Sequence, residues 1–228
     1  MPVPDQLAES KVPYSEVAYQ QLRGRILDNE MAAGFQATEQ EVAAILGMSR
    51  TPTREAMLRL ESEGLIELRP RHGMRVRAVS ADDMREIYEI LTGLEAIAAA
   101  TVAARGLVDG QLGALERAVS DMDQALDDDD LDSWMEADGR FHGLLVEYSG
   151  NRRLQTVVDT FLMQAHRVRK MTAKLRPKPT GSNIAHAAVV DAIKRRDSEA
   201  AWRVHMEHRG ESGQLLIGIL EDLGLPNF

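Results

Sequence analysis

Residues 38–64 read TEQEVAAILGMSRTPTREAMLRLESEG, and this stretch decides the fold of the N-terminal part of the chain. Thr38 and Glu41 have the spacing of a capping box, which predicts that a helix begins directly after Thr38. Gly47 is a typical helix-ending residue, and Ser49 can cap a second helix that runs to about residue 63. The stretch therefore predicts two short helices joined by a tight turn.

The segments on either side complete a winged helix-turn-helix. Residues 14–30 have the apolar spacing of a helix that Gly34 stops. Residues 65–69 and 74–78 have partly alternating character and flank the turn residues 70–73, which predicts a β-hairpin. The inward residues expected on the two short helices are Val42, Ala43, Ile45 and Leu46 on the first, and Ala56, Leu58 and Leu60 on the second.

The charge of the chain is divided unevenly along its length. A formal net charge of −9 argues against DNA binding if it is spread over the whole chain. However, residues 1–77 hold 10 basic and 11 acidic side chains, whereas the remaining residues hold 17 and 25. Residues 69–77 contain four arginines and no acid. The winged part is therefore nearly neutral, with a basic hairpin available for phosphates.

Two further features of the composition limit the chemistry and the location of the protein. The 228 residues include no cysteine, so any metal is held by His, Asp or Glu, and disulfides and a thiol nucleophile are excluded. The N-terminal residues MPVPDQLAES lack the basic start and apolar core of a secretory signal, and no later window approaches the ~20 uninterrupted apolar residues of a membrane span. We expect a cytoplasmic protein without a membrane partner.

The C-terminal part reads as helices alone, which predicts an all-α bundle. Its amphipathic segments are expected at about 81–105, 108–127, 131–149, 151–173, 181–196 and 197–223. The acidic run at 127–130 is expected to be a solvated helix end and loop, because a calcium loop needs alternating ligands and a glycine turn. The predicted fold class is mainly α, with an N-terminal tail at 1–13, a winged helix-turn-helix at 14–78 and a helical domain at 79–228.

Residues 49–56, SRTPTREA, resemble the start of the recognition helix in the GntR family of bacterial transcription regulators. The resemblance continues through residues 39–43 and 60–65 and covers nearly all of 14–78. It implies a homodimer that binds a double-stranded DNA operator. The DNA-binding positions it implies are Ser49, Arg50, Thr51 and Arg54 on the recognition helix, Gln40 on the helix before it, and Arg71, His72 and Gly73 at the wing tip. An intrahelical ion pair with Glu61 or a neighbouring residue is the alternative for Arg54.

The helical part resembles the FCD ligand-binding domain of the FadR subfamily, and its six segments resemble the smaller VanR-like variant. Residues 138–142 (DGRFH), Gly150-Asn151, residues 191–193 and His208 carry the match. The resemblance implies that a metal helps to bind an organic-acid effector, whose carboxylate completes the coordination. Leu91 departs from the pattern, because many relatives carry an arginine there.

A metal site is predicted on the polar residues of these helices. Asp138 and His142 are four residues apart and share a helix face, so they can bind one cation together. The predicted ligands are Asp138, His142, His186 and His208, with zinc as the first choice and nickel, manganese or iron also suitable. The alternative is a set of ordinary polar helix residues. Candidate effector-binding residues are Arg140, His166, Arg167, Arg169 and His205, and His205 is also a substitute ligand.

The predicted function is a ligand-responsive transcription regulator, a repressor that leaves a palindromic operator when a small carboxylate binds, and not an enzyme. One alternative is a metal-dependent hydrolase with an accessory DNA-binding domain. It needs a general acid or base beside the metal ligands, and the sequence offers no motif for one. The other alternative is a metal-sensing DNA-binding protein without an organic effector.

Overall fold

The structure is a computed structural model that describes residues 12–108 and 110–224. Its internal contacts divide the chain into two compact units, and the boundary falls between Ala78 and Val79. Each unit is described by itself. The predicted N-terminal tail, residues 1–13, lies outside the described residues except for its last two positions.

The first unit is a winged helix-turn-helix, as the sequence predicted. Its elements in chain order are α1 (Tyr14–Leu27), β1 (Gln36–Ala37), α2 (Glu39–Leu46), α3 (Arg50–Ser62), β2 (Ile66–Arg69) and β3 (Gly73–Val76). The three strands form an antiparallel sheet with β3 in the middle, in the order β1-β3-β2. The sequence analysis missed β1, whose two residues are too few to show an alternating pattern.

Local hydrogen bonds explain where α2 and α3 begin. The Thr38 side chain accepts a bond from the Glu41 N–H at 3.3 Å, and the Glu41 carboxylate accepts one from the Thr38 N–H at 2.7 Å. This is the predicted capping box. Ser49 occupies the N-cap position of α3, but its side chain makes no capping bond. The Thr53 hydroxyl donates to the Ser49 carbonyl at 3.0 Å. Because the exposed Ser49 hydroxyl makes no capping bond, it is available to contact DNA.

Two details of the first unit were predicted wrongly. The first helix ends at Leu27 and not at residue 30, because Asn29 has a φ of 59°, which a right-handed helix cannot contain. Ile45 and Leu58 are 41% and 48% exposed rather than inward-facing. The buried residues of α3 have the regular helical spacing of three and four residues and are Thr53, Ala56, Met57 and Leu60.

The second unit is the predicted all-α bundle. Its elements are α4 (Ala81–Arg105), α5 (Gln111–Asp127), α6 (Leu131–Tyr148), α7 (Arg152–Thr172), α8 (Thr180–Lys194) and α9 (Ser198–Asp222), with a 3₁₀ turn at Ala173–Leu175. The acidic run is a helix end and loop, as expected. Asp127 ends α5, and the Asp130 carboxylate caps α6 by accepting a 3.0 Å bond from the Ser133 N–H.

The helix α4 lies at the centre of this bundle, where it packs on α6, α7, α8 and α9. Close packing on α9 requires a small residue, because a Cβ at Gly213 would lie 2.6 Å from the Tyr88 ring. Among the described helices, α4 is also the one that is long and apolar enough to cross a membrane by length and composition. It does not contain the ~20 uninterrupted apolar residues whose absence the sequence predicted, because Glu89 and Glu95 interrupt its apolar residues. Half of this apolar stretch is buried inside the bundle, and core helices meet the same criteria.

Candidate DNA-binding surface and metal centre

The start of α3 exposes the predicted recognition residues. Ser49, Arg50, Thr51 and Arg54 are all exposed. The Arg50 Nε donates to Glu39 Oε1 at 2.9 Å, yet the Arg50 side chain remains 70% exposed. This ion pair holds the guanidinium at the edge between α2 and α3. Because an exposed ion pair is weak, a phosphate or base can replace Glu39 at small cost.

Arg54 has no carboxylate partner among the residues that the structure describes. The alternative prediction paired it with Glu61 on the next turns of α3. The Glu61 Oε1 instead accepts a 2.9 Å bond from the Leu68 N–H, which ties α3 to the wing strand β2. Arg54 is therefore an exposed guanidinium without a neutralising anion, which suits a phosphate or a guanine edge.

The turn between β2 and β3 brings the wing residues close to α3. Arg54, Gln40 and Arg71 line one surface groove. Arg71 and His72 are exposed at the tip, where Arg71 has a φ of 67°. Gly73 packs against β1 instead, because a Cβ there would lie 2.1 Å from the Ala37 carbonyl oxygen. Close backbone approach explains this glycine, and a DNA contact for it stays a prediction.

The four predicted metal ligands meet inside the helical unit, from three helices. Asp138 and His142 lie on α6, His186 on α8 and His208 on α9, and all four are buried. The Nε2 atoms of His142 and His186 are 3.3 Å apart, and Asp138 Oδ1 lies 3.6 Å from each of them. One nitrogen from each of the three histidines lies within 4.8 Å of the others.

These separations fit one divalent cation. Zinc bonds of about 2.0–2.1 Å in a tetrahedral arrangement separate neighbouring ligand atoms by about 3.3–3.4 Å. The nitrogens of His142 and His186 have this separation, and the Asp138 oxygen is only slightly farther away. Burial lowers the pKa of His208 to about 3 and holds the pKa of His186 well below its usual value. Both imidazoles are therefore neutral at pH 7, as a metal ligand must be.

Glu95 on α4 is a buried carboxylate that the sequence analysis missed. Its Oε2 lies 2.7 Å from His142 Nδ1 and 3.1 Å from His205 Nε2, and its Oε1 accepts a 2.6 Å bond from Arg209. Burial alone would raise the pKa of Glu95, but the charges of Arg209 and His142 hold it well below its usual value. The only signal in the sequence is a lone carboxylate among the apolar residues 96–99 and Leu94.

Glu95 and Asp138 act on opposite ring nitrogens of His142. Burial lowers the pKa of His142, but the carboxylates of Glu95 and Asp138 together outweigh it and raise the pKa. Glu95, His142 and His205 could also hold a cation themselves. Since Glu95 is already bound by Arg209, we interpret it as the carboxylate that orients His142 and increases its basicity as a ligand. Asp138 is similarly held ionised by a contact between its Oδ2 and the Arg169 guanidinium.

A cavity of about 220 Å³ opens onto Asp138 and His208. Of the five candidate effector-binding residues, Arg169 alone lines it. Arg140 is half exposed on the opposite side of α6 and pairs with Asp121, while His166, Arg167 and His205 lie outside the lining. A role in ligand binding for these four stays a prediction that the cavity does not support. Leu91 is fully buried in the apolar core, so α4 places no cation there.

An exposed recognition helix with a wing, joined in one chain to a helical unit with a buried polar centre, defines a two-domain DNA-binding regulator. The chain belongs to the GntR family. Residues 14–76 match the family described as "Bacterial regulatory proteins, gntR family", and residues 86–210 match the family described as "FCD domain". These matches confirm the resemblance found in the sequence.

Known relatives have the same character. The chain is 42% identical, over 134 residues, to an HTH-type transcriptional regulator from the TAR-I ttuE-ttuC' intergenic region of Agrobacterium vitis, covering 57% of this chain and 77% of that protein. It is 29% identical to the HTH-type transcriptional repressor RspR of Escherichia coli, over 87% of each chain. The solved structure of E. coli McbR/YncC has the same fold, with a TM-score of 0.77 at 21% identity, covering 94% of this chain and 100% of that one. The protein is a DNA-binding transcription regulator and not an enzyme.

Proposed function

We propose that the protein is a homodimeric repressor that leaves a palindromic operator when a small organic carboxylate binds at a metal in its helical unit. The observation that carries the proposal is the meeting of Asp138, His142, His186 and His208 beside a cavity large enough for a small molecule. Such a regulator works in the cytoplasm, where the operator is.

The DNA-binding half of the proposal assigns α3 to the major groove. Arg50 and Arg54 reach base edges or phosphates, and the hydroxyls of Ser49 and Thr51 contact the backbone. Gln40 on α2 and the tip residues of the wing add contacts at the edges of the site. Two copies of the chain match the two half-sites of a palindrome.

The metal half of the proposal assigns the four buried ligands to zinc, with nickel, manganese and iron as further candidates. When bound, the metal supplies a positive charge and a coordination position for the carboxylate of the effector. Asp138 and the imidazoles of the three histidines would hold the cation, and Glu95 orients His142. The cavity beside the ligands favours this function over a metal sensor that has no organic effector.

The test is a band-shift titration with metal-loaded protein and operator fragments that the protein selects from genomic DNA. We expect small carboxylates to release the wild-type protein from the operator. At the same concentrations, a His186→Ala variant should remain bound to the operator. An effector response that survives removal of the metal ligands would contradict the assignment of the site. Operator binding that no carboxylate changes would contradict the switching function and leave a metal sensor as the function.

A further inference from the structure

The cavity beside the metal ligands is lined by three arginines, and two of them are paired with buried carboxylates. Arg169 is paired with Asp138, and Arg209 is paired with Glu95. The third arginine of the lining, Arg176, has no carboxylate within ion-pair distance among the described residues. The remaining charged residues of the lining are Lys178, which pairs with Asp129, and the exposed Glu211. Arg176 is therefore an arginine of the lining without a direct ion pair to any described residue, and a bound metal ion would add positive charge to the same cavity.

Arg176 is held in place but incompletely hydrogen-bonded. It follows the 3₁₀ turn after α7, and its Nη2 donates a 2.7 Å bond to the backbone carbonyl of Arg169. Its Nε is buried without a hydrogen-bond partner. Burial and the neighbouring Arg169 charge lower the pKa of Arg176, so an anion placed there would relieve an unfavourable environment. A buried donor without an acceptor is costly, so an anion oxygen within hydrogen-bond distance of the Arg176 Nε would relieve that cost.

The bond to the Arg169 backbone also places Arg176 close to the metal ligands. Arg169 contacts Asp138 with its side chain and Arg176 with its backbone carbonyl, so one residue connects the guanidinium to a ligand. The lining also includes Trp134, whose ring N–H is already satisfied by Asn183 at 2.8 Å. The ring therefore presents apolar surface, which suits a short methylene chain.

We propose that Arg176 binds a second carboxylate of the effector, so that the ligand is a short-chain dicarboxylate with one end at the metal and the other at Arg176. The inference rests on the proposed function, because it uses the same cation. The cavity of about 220 Å³ is smaller than the roughly 300–1,000 Å³ of sites for drug-sized ligands, which limits the chain length.

The experiment compares matched pairs of acids by calorimetry on the metal-loaded full chain. The pairs are succinate with butyrate, glutarate with pentanoate and adipate with hexanoate, which differ in the second carboxylate. We expect the wild type to bind at least one diacid about 10-fold or more tightly than its monoacid, as a charge-assisted bond implies. An Arg176→Met variant should lose this preference while its monoacid affinity and bound metal are unchanged. Lys174→Met, on the same turn but exposed and outside the cavity, should behave as the wild type.

The outcomes separate this inference from the proposed function. Equal affinity for the members of every pair, or a preference that survives in Arg176→Met, overturns the role of Arg176 and leaves the carboxylate switch intact. Failure of the wild type to bind any of the six acids contradicts the carboxylate function and the inference together. Arg176→Gln also removes the charge and should lose the preference in the same way as Arg176→Met. Far-ultraviolet circular dichroism shows whether Arg176→Met or Arg176→Gln has lost its fold.

Discussion

At the scale of single residues, Glu95 stabilises three partners with two oxygens. It lies fully buried in α4 and contacts His142, His205 and Arg209. A buried carboxylate of this kind is stable only while its partners remain, and the same holds for Arg209, whose charge would otherwise be buried without an anion. Glu95 therefore links the stability of the bundle to the orientation of a metal ligand.

This link predicts a double effect for Glu95→Gln. Removal of the charge should lower the free energy of unfolding of the metal-free protein by about 3–5 kcal/mol, because Arg209 loses its buried counter-charge. It should also weaken zinc binding by about 10- to 100-fold, since His142 loses the carboxylate that orients it. Urea unfolding and competition with a zinc chelator measure the two effects.

The matched control is Glu116→Gln, which breaks the exposed ion pair with Lys194 at 2.8 Å in the same unit. Stability and zinc affinity should stay close to the wild type there, because exposed pairs contribute little. Zinc affinity that is unchanged in Glu95→Gln would show that Glu95 serves stability alone.

A second prediction at this scale concerns Arg54. Arg54→Ala should weaken operator binding by about 5- to 150-fold and relax the sequence preference at one base pair, as expected for a contact to a base edge. Fluorescence anisotropy with operator variants measures both. Arg25→Ala, which removes an arginine paired with Glu30 at the end of α1, should leave the affinity close to that of the wild type. A loss that is equal for all sequences would assign Arg54 to a phosphate instead.

At the scale of elements, the wing depends on a close approach between β3 and β1. Gly73→Ala should destabilise the winged unit and abolish specific DNA binding, because the new Cβ would lie 2.1 Å from the Ala37 carbonyl oxygen and the φ of 79° disfavours a side chain. Thermal unfolding followed by circular dichroism and band shifts measure the two losses.

Gly47→Ala provides the control for this prediction. Gly47 also has a positive φ, of 64°, but a Cβ there would have no atom within 4 Å. The substitution should cost about 1–2 kcal/mol from backbone strain alone and preserve DNA binding. Equal losses in the two variants would mean that strain, and not the clash with β1, controls the wing.

Both ends of α2 were predictable because their signals are local. Thr38 and Glu41 begin α2 within one turn, and Gly47 ends it. Leu58 was assigned wrongly because positions 56, 58 and 60 cannot share one helix face, whereas Thr53 and Met57 can join Ala56 and Leu60. The strand β1 could not be predicted, since its two residues form a strand only by pairing with Arg75 and Met74.

At the scale of the whole molecule, the residues of the candidate site that the sequence did not predict are brought in by contacts between positions far apart in the chain. The four expected ligands were predicted from the spacing of Asp138 and His142 and from the resemblance to the FCD domain, and their role as metal ligands stays a prediction. Glu95 meets His205 across 110 residues of chain, and no local pattern indicates that pairing. Arg176 gains its role from the cavity that α6, α8 and α9 enclose, so only the packed bundle distinguishes it from the other arginines.

The proposed switch makes a prediction about the full chain that needs no knowledge of how its two units move. If a carboxylate lowers operator affinity by some factor, saturating operator DNA must lower carboxylate affinity by the same factor, because the free energy of the ternary complex does not depend on the order of binding. We expect a factor of about 5–150 in each direction. Calorimetry with and without operator DNA, and anisotropy with and without the acid, measure the two factors independently. In His186→Ala both factors should approach one while operator affinity without the acid stays at the wild-type value; release of the operator by the acid in that variant would place the effector away from the metal centre.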